Sequence, residues 1–330
     1  EDENYIRKAL SFPEKEKETY IPPASKKIEF KKEKEFARRE KRELTRFEKR
    51  VDFAQVEESL DKIEIQSLDS MRIILTKQRD ALTAFISSKM VNGKLTAQFI
   101  NSLDLKYRGE LKNAIKTMYA DGYEMGKKNG KTEIKIPINK FFAVVKATPG
   151  TGIDPSEAID YFEAKSAYAV RQVIEPLQTD VQGVLLQSLK NGWSVRDTVK
   201  ALDDKYKAYT EAGGIIEEGK ELTGYRLEAI VRTSLSEAYN YGRRAIGEDP
   251  DIADYIIGYQ FSEILDDRTV EVSLFLDGKI ISVDHPELDE LTYPIHWNDR
   301  GMFVFVTKDD LPVEFMSDGE IYQAISMKGF

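Results

Sequence analysis

The side chains of this sequence that could do chemistry are almost all carboxylates. Its 330 residues include 58 Asp and Glu, two His and no Cys. Without cysteine there is no disulfide, thiolate zinc site or cysteine nucleophile, and two histidines leave little room for imidazole catalysis. Seven aspartates in the C-terminal part could supply ligands for a Ca²⁺ or Mg²⁺ site: Asp249, Asp251, Asp254, Asp266, Asp267, Asp284 and Asp289. None has the spacing of a calcium-binding loop, so a solvated acidic surface is the preferred interpretation.

Enzyme motifs are absent from the sequence. It has no Gly-x-Ser-x-Gly, no His-Glu-x-x-His and no dinucleotide-binding fingerprint. We therefore predict a protein that is not an enzyme and uses no cofactor. One alternative stays open, a carboxylate- and Mg²⁺-dependent hydrolase or nuclease in the acidic C-terminal part. It would require Asp267, Asp299 and His296 to meet in one concave pocket.

Charge is unevenly distributed along the chain. Residues 14–50 hold 14 Lys and Arg against nine Asp and Glu, a net charge of +5. Residues 248–330 hold five Lys and Arg against 19 Asp and Glu, a net charge of −14. The basic segment is typical of a solvated helix with i,i+4 ion pairs, and contact with DNA phosphates is the second interpretation. The acidic part is not expected to bind nucleic acid itself.

The pattern of apolar residues predicts long helices in the first part of the chain. Residues 1–27 are predicted to be an extended arm or linker. From about Ile28 to Asn92 no proline or glycine interrupts three- and four-residue apolar spacing, which indicates one very long helix or a helical hairpin. A second helix is predicted to begin at Thr96 and to stop at the glycines 122, 126 and 130. Residues 131–152 are predicted to be short extended pieces, which complete a region of residues 28–152.

The second half of the chain divides into a predicted helical domain, residues 153–247, and a predicted acidic α+β domain, residues 248–330. The helical domain begins at Asp154-Pro155, has a kink or break at Pro176 and ends with a helix over about residues 223–245. In the acidic domain, Asp277-Gly278 between two apolar runs predicts a β-hairpin. The predicted fold class is mainly α, with a small C-terminal α+β unit. No apolar run approaches the ~20 residues that span a bilayer.

A polar stripe runs along the predicted helix at residues 223–245, opposite its apolar face. The stripe consists of Glu228, Arg232, Ser236, Asn240 and Arg243. A core-facing helix whose stripe binds neighbouring backbone is the favoured interpretation, and a substrate-binding helix is the other.

This helix resembles one in the phage head-morphogenesis proteins, the minor head proteins of tailed bacteriophages that include the Mu F-like group. Arg232-Thr233, Ala238, Asn240 and Gly242-Arg243 are similar to the family's Ala-Arg-Thr-x…Ala-x-Asn-x-Gly-Arg pattern. The likeness continues through residues 267–269, 276–279 and 293–300 and covers about residues 223–306. It implies structural roles for nine residues: Arg232, Thr233, Asn240, Arg243, Asp267, Asp277, Gly278, His296 and Arg300.

Many members of this family carry Cys-x-x-Cys…His-x-x-Cys, a pattern typical of a structural zinc site. By alignment on the flanking motifs, the four positions in this chain are Val270, Ser273, His296 and Asp299. The resemblance therefore implies a degenerate site without metal, in which His296 is a hydrogen-bonded structural residue. We hypothesise that His296, Asp299 and Arg300 form a polar cluster in place of the metal.

The resemblance also implies a function in the phage head. It implies a structural protein that docks at the portal vertex or capsid interior and assists head morphogenesis, packaging or genome delivery. The implied partners are the portal protein, coat or scaffold subunits, and packaged DNA reached through residues 14–50. The implied location is the virion, and the host cytoplasm during assembly. A coiled-coil adaptor unrelated to phage is the remaining alternative.

Overall fold

The computed structural model describes residues 43–134, 155–210, 226–250, 252–265 and 269–328. The predicted arm at residues 1–27, the rest of the chain before residue 43, and the predicted extended pieces at residues 135–152 lie outside these ranges. Within them, the protein is mainly helical with one small sheet near its C-terminus. The predicted fold class is confirmed, whereas the division into four domains stays a prediction.

The first long helix, α1, spans Phe53–Val91. It begins there, rather than near residue 28, because the Asp52 side chain accepts a hydrogen bond from the Gln55 N–H and caps the helix. Residues 43–51, which we call the strap, precede it in a different conformation. They contain a short 3₁₀ turn at Glu48–Arg50, after which Val51 is extended. Helix α1 ends as predicted, with Asn92 as its C-cap and Gly93 in the left-handed region at φ 61°.

Two helices follow, α2 at Ala97–Asn101 and α3 at Arg108–Glu133. Thr96 caps α2 by accepting from the Phe99 N–H, as its position predicts. The predicted helix stop at the glycines 122, 126 and 130 is wrong, because α3 continues through all three. They lie in its interface with another helix, where the absence of side chains brings two backbones together.

The next helices are α4 at Pro155–Asn191 and α5 at Val195–Thr210. Helix α4 continues past Pro176, so of the predicted kink or break the break does not occur, and the kink stays a prediction. Ser194 caps α5, since its hydroxyl accepts from the Asp197 N–H. Helix α6 spans Arg226–Gly247 and packs against α3 and the sheet. None of the described helices meets the length and apolarity that a membrane span requires.

The C-terminal part contains strands β1 (Ile256–Ser262), β2 (Ile280–Ser282) and β3 (Met302–Thr307) and helices α7 (Glu271–Leu276) and α8 (Asp318–Ser326). The strand order is β2-β1-β3, and both pairings are antiparallel. The predicted hairpin at Asp277-Gly278 is wrong, because helix α7 precedes this turn and β2 pairs with β1 instead. Gly278 still provides the tight turn, with φ 84°.

Both faces of this sheet are covered. On one face Tyr259 and Phe261 of β1 pack against Phe303 and Phe305 of β3 in an aromatic cluster. On the other face Val304, Val306 and Ile280 pack against Phe47 of the strap. Because side chains alternate along β3, this strand contributes to two separate cores, one on each face of the sheet. The strap closes the second one.

Candidate functional site

Asn240, in the resembled motif of α6, is fully buried against the outer edge of β3. Its Nδ2 donates to the Gly301 carbonyl at 3.0 Å, and its Oδ1 accepts from the Phe303 N–H at 3.0 Å. One side-chain amide therefore pairs with the strand edge as a neighbouring strand would. An unpaired buried backbone group is costly, so this amide stabilises the junction of helix and sheet.

Arg243, one turn further along α6, continues the same edge. Its Nε donates to the Phe303 carbonyl at 2.7 Å, and its guanidinium forms a buried ion pair with Glu133 at the end of α3. Glu133 in turn accepts from the Phe305 N–H at 2.7 Å. Burial raises the pKa of Glu133, and the Arg243 guanidinium opposes that shift. Side chains from two helices and the strap, whose Arg50 donates to the Phe305 carbonyl, thus close the free edge of β3.

The glycine of the motif, Gly242, serves the packing of α6 on α3. A Cβ at Gly242 would lie less than 3 Å from the Tyr123 carbonyl oxygen, and one at Gly126 less than 3 Å from the Tyr239 carbonyl oxygen. Since each atom met is backbone, no rotamer change relieves the overlap. The two helices cross at a distance that only glycine permits, and this fixes where Asn240 and Arg243 meet the sheet.

The start of the motif holds the loop that precedes β3. Arg232 donates to Asn298 Oδ1 at 2.8 Å and forms an ion pair with Glu64 of α1 at 2.6 Å. The Thr233 hydroxyl accepts from the Asn298 N–H at 2.8 Å. Asn298 has a φ of 64°, a conformation that asparagine tolerates better than most residues. The loop at residues 293–300 is therefore tied to both α6 and α1.

Three of the four positions aligned with the family's metal ligands come together. Ser273 Oγ lies 2.9 Å from His296 Nε2, and Asp299 Oδ1 lies 3.9 Å from the same nitrogen. The fourth, Val270, has no donor atom and its side chain is partly exposed. Among the described residues, no three His, Asp or Glu side chains are placed to hold a metal ion. A tetrahedral zinc ion does not fit these residues, because valine has no donor atom, serine is a poor zinc ligand, and the Asp299 carboxylate already accepts from two backbone N–H groups.

These three residues do not have the geometry of a hydrolytic triad. The Nδ1 of His296 lies 2.8 Å from the Trp297 carbonyl and must donate, because a carbonyl only accepts. Ser273 and Asp299 both face the other nitrogen, whereas a triad places serine and aspartate on opposite nitrogens. The Asp299 carboxylate is also buried and accepts from the N–H groups of Ile295 and Gly301. The cluster is therefore arranged for support of the loop.

A second carboxyl, Glu263, is buried beside this cluster. Tyr293 donates to it at 2.7 Å, and its own N–H donates to Asp277 Oδ1 at 3.1 Å. Burial raises the pKa of Glu263 well above its ordinary value, and the nearby Asp299 charge adds to the shift. The pKa of Tyr293 is raised in the same way, first by burial and then by Glu263. A protonated carboxyl can therefore share hydrogen bonds with its neighbours inside this loop.

The remaining predicted residues are less closely connected to the junction. Asp267 lies outside the described residues, and Arg300 is half-buried next to Asp299. The pocket that the enzyme alternative requires is thus tested only for His296 and Asp299. These two residues meet, but they line neither the cavity beside Arg50 and Tyr255 nor the one beside Arg244 and His285. The larger of these, about 360 Å³, is bordered by Arg244, whose charge is already paired with Glu248 and Asp289.

Several residues of the junction are not evident from the sequence. Glu133, Glu64 and Glu263 belong to a chain with 58 acidic residues, and nothing in their spacing distinguishes them from solvated ones. Only their burial distinguishes them from solvated residues, since Glu133 and Glu263 are each about 3% exposed.

Comparison with known proteins gives one match. Residues 179–304 match the model of a family described as Phage Mu protein F like protein. This stretch contains α6, β1, β2, the first half of β3 and the loop before it, and the match confirms the resemblance to Mu F-like phage head-morphogenesis proteins. No curated protein and no solved structure matches the chain.

Proposed function

From the Phage Mu protein F-like region at residues 179–304, we propose that this chain is a minor head protein. In this proposal it docks at the portal vertex or the capsid interior and assists head assembly, packaging or genome delivery. The family match supports a phage head-related protein in general. The portal, coat or scaffold subunits and packaged DNA are proposed partners.

This proposal rests on the hydrogen bonds that the polar residues of the matched motif form. Asn240 and Arg243 bond the backbone of β3, and Thr233 bonds the loop before it. The polar residues of the family motif thus hold the helix against the sheet and its loop. Residues that are buried and fully bonded are poorly placed to bind a substrate, so a structural role is favoured over an enzymatic one.

The surfaces available for partners differ in charge. Residues 248–330 carry a net charge of −14, which favours basic partner surfaces and disfavours nucleic acid. Within the predicted DNA-binding segment at residues 14–50, Arg50 is already paired with Asp310, and Arg46 donates to the carbonyls of Asp310 and Pro312. Contact with portal or DNA is therefore proposed for residues 14–42 alone.

Deletion of residues 1–42 tests this assignment, because it removes the basic segment and leaves the strap in place. We expect the truncated chain to stay folded and to lose most co-purification with portal and retention of DNA in assembled heads. The matched control is the full chain with Lys328→Ala, which changes one basic residue at the other end. If the truncated chain co-purified with portal and retained DNA as the full chain does, residues 14–42 would not be the contact.

A further inference from the structure

The strap, residues 43–51, lies on the sheet without being part of it. Its buried apolar side chain is Phe47, 6% exposed, which fills a groove formed by Ile280, Val304 and Val306, and the partly buried Val51 packs against the same cluster. This groove is the face of the sheet opposite the aromatic cluster. The strap is separated from the strands that it covers by more than 200 residues of chain.

Polar groups beside the groove bond the strap at defined positions. The Thr45 hydroxyl donates to Gln260 Oε1 at 2.8 Å, and the Ser262 hydroxyl donates to Glu48 at 2.8 Å. At the far end Arg50 forms a 3.0 Å ion pair with Asp310. The groove therefore recognises a short pattern: hydroxyl, aromatic ring, carboxylate and guanidinium at positions 45, 47, 48 and 50.

The strap is weakly held compared with the sheet. Of its nine residues only Phe47 and Glu48 are buried, so these two side chains, a few hydrogen bonds and a partly exposed ion pair must offset the ordering of the whole segment. The sheet does not depend on the strap to the same degree. The outer edge of β3, to which Arg50 of the strap contributes one bond, is also held by Asn240, Arg243 and Glu133, and the aromatic cluster fills the face away from Phe47. Elements with few buried anchors open at lower free energy than the core that they cover.

We propose that the strap is a releasable clasp, which leaves and re-enters this groove while the sheet and helices stay folded. The groove is then a docking site for a segment of the strap's own chemistry, and its occupant is the strap of the same chain. Release uncovers the aliphatic face of β2 and β3 and frees Arg46 and Arg50.

The clasp is tested with full-length protein and a fluorescent peptide of residues 43–52. Phe47→Ala removes the anchor of the attached strap and leaves the groove intact. We expect the peptide to bind this variant about tenfold or more tightly than wild type, in which the attached strap competes at high effective concentration. A peptide carrying the same Phe47→Ala change should not bind. The control protein is Phe85→Ala, which loses a partly exposed ring of α1 and should behave as wild type.

Two results would overturn the clasp. One is a Phe47→Ala protein that keeps its far-UV circular dichroism and does not bind the peptide. The other is a Phe47→Ala protein that loses its secondary structure, because the rest of the protein must stay folded without the strap. Hydrogen exchange of wild type gives a second measure: the Arg50 and Val51 amides should exchange at least about tenfold faster than those of Tyr259 and Phe261. Equal rates would contradict release. None of these measurements depends on the proposed role in the phage head.

Discussion

Glu263 is a residue whose behaviour follows from its surroundings rather than from its type. Burial raises its carboxyl pKa well above the ordinary value, and Asp299 and Asp277 add to the shift. The folded protein therefore holds a proton on Glu263 at pH values where the unfolded chain has released it. Stability linked to this group is fully present below the ordinary pKa, and it is lost as pH rises through the raised one.

Glu263→Gln should consequently make the protein less sensitive to alkaline pH. Glutamine keeps an oxygen that accepts from Tyr293 and cannot ionise. We expect little change in the free energy of unfolding near pH 4, and a gain of about 1–3 kcal/mol over wild type at pH 8–9. Urea unfolding of both proteins across this pH range measures the difference in the free energy of unfolding. Glu290→Gln, at an exposed site, is the control and should follow wild type; a Glu263→Gln curve parallel to wild type would contradict the assignment.

At the scale of elements, the crossing of α3 and α6 determines the rest of the architecture. Glycines that resemble helix stops in the sequence allow the two backbones to approach. Sequence reasoning predicts a stop because glycine disfavours helix by about 1 kcal/mol relative to alanine. In the folded protein that cost is outweighed by burial along the crossing, which includes Leu235 and Ala238 of α6 against Gly122 of α3.

Gly242→Ala tests the crossing. Its Cβ would overlap the Tyr123 carbonyl, and neither backbone can move without separating the helices. We expect a loss of about 3 kcal/mol or more in the free energy of unfolding, measured in urea. Gly183→Ala is the matched control within α4, where a Cβ meets no atom within 4 Å. It should be neutral or stabilising by up to about 1 kcal/mol. Equal effects of the two changes would show that the crossing is looser than described.

At the scale of the whole molecule, α6 joins the helices to the sheet. Its apolar face belongs to the helical core, while Ile246 packs in the core of the C-terminal part. Asn240 and Arg243 bond β3 from the same helix. A helix shared in this way couples the two cores, so they are expected to unfold together although residues 153–247 and 248–330 are predicted as separate domains.

The two tryptophans report on this coupling, since Trp193 packs against the helical core and Trp297 lies in the loop before β3. In the single-tryptophan variants Trp193→Phe and Trp297→Phe, urea transitions followed by fluorescence should have the same midpoint. Adding Arg243→Met leaves Glu133 buried without its cation, at a cost of about 3–5 kcal/mol. We expect the Trp297 transition then to move to lower urea than the Trp193 transition. Separate midpoints without Arg243→Met would mean that the cores unfold independently.

Local patterns in the sequence determine the type of most elements. Apolar spacing predicts the helices, Thr96 and Ser194 predict their caps, and the order of the motifs identifies the Mu F-like region. These features depend on residues within a few positions of one another, which is why they can be predicted without coordinates. Predictions from local patterns were wrong at the glycines of α3, at Asp277-Gly278 and at the strap. At each of these places the conformation depends on contacts with a segment that is distant in the sequence.

Only the tertiary structure decided what the motif residues do. The sequence places Asn240 and Arg243 on a polar stripe, but it does not show that the edge of β3 lies against that stripe or that Glu133 completes it. Nor does it distinguish Glu263 from the chain's many exposed acids. The physical reason is that burial, pKa shifts and edge pairing depend on which segments meet across separations that range here from 14 to 172 residues of chain. A composition without cysteine excluded a thiolate zinc site, and the fold brought together Ser273, His296 and Asp299, three of the four positions that the sequence resemblance aligns with metal ligands.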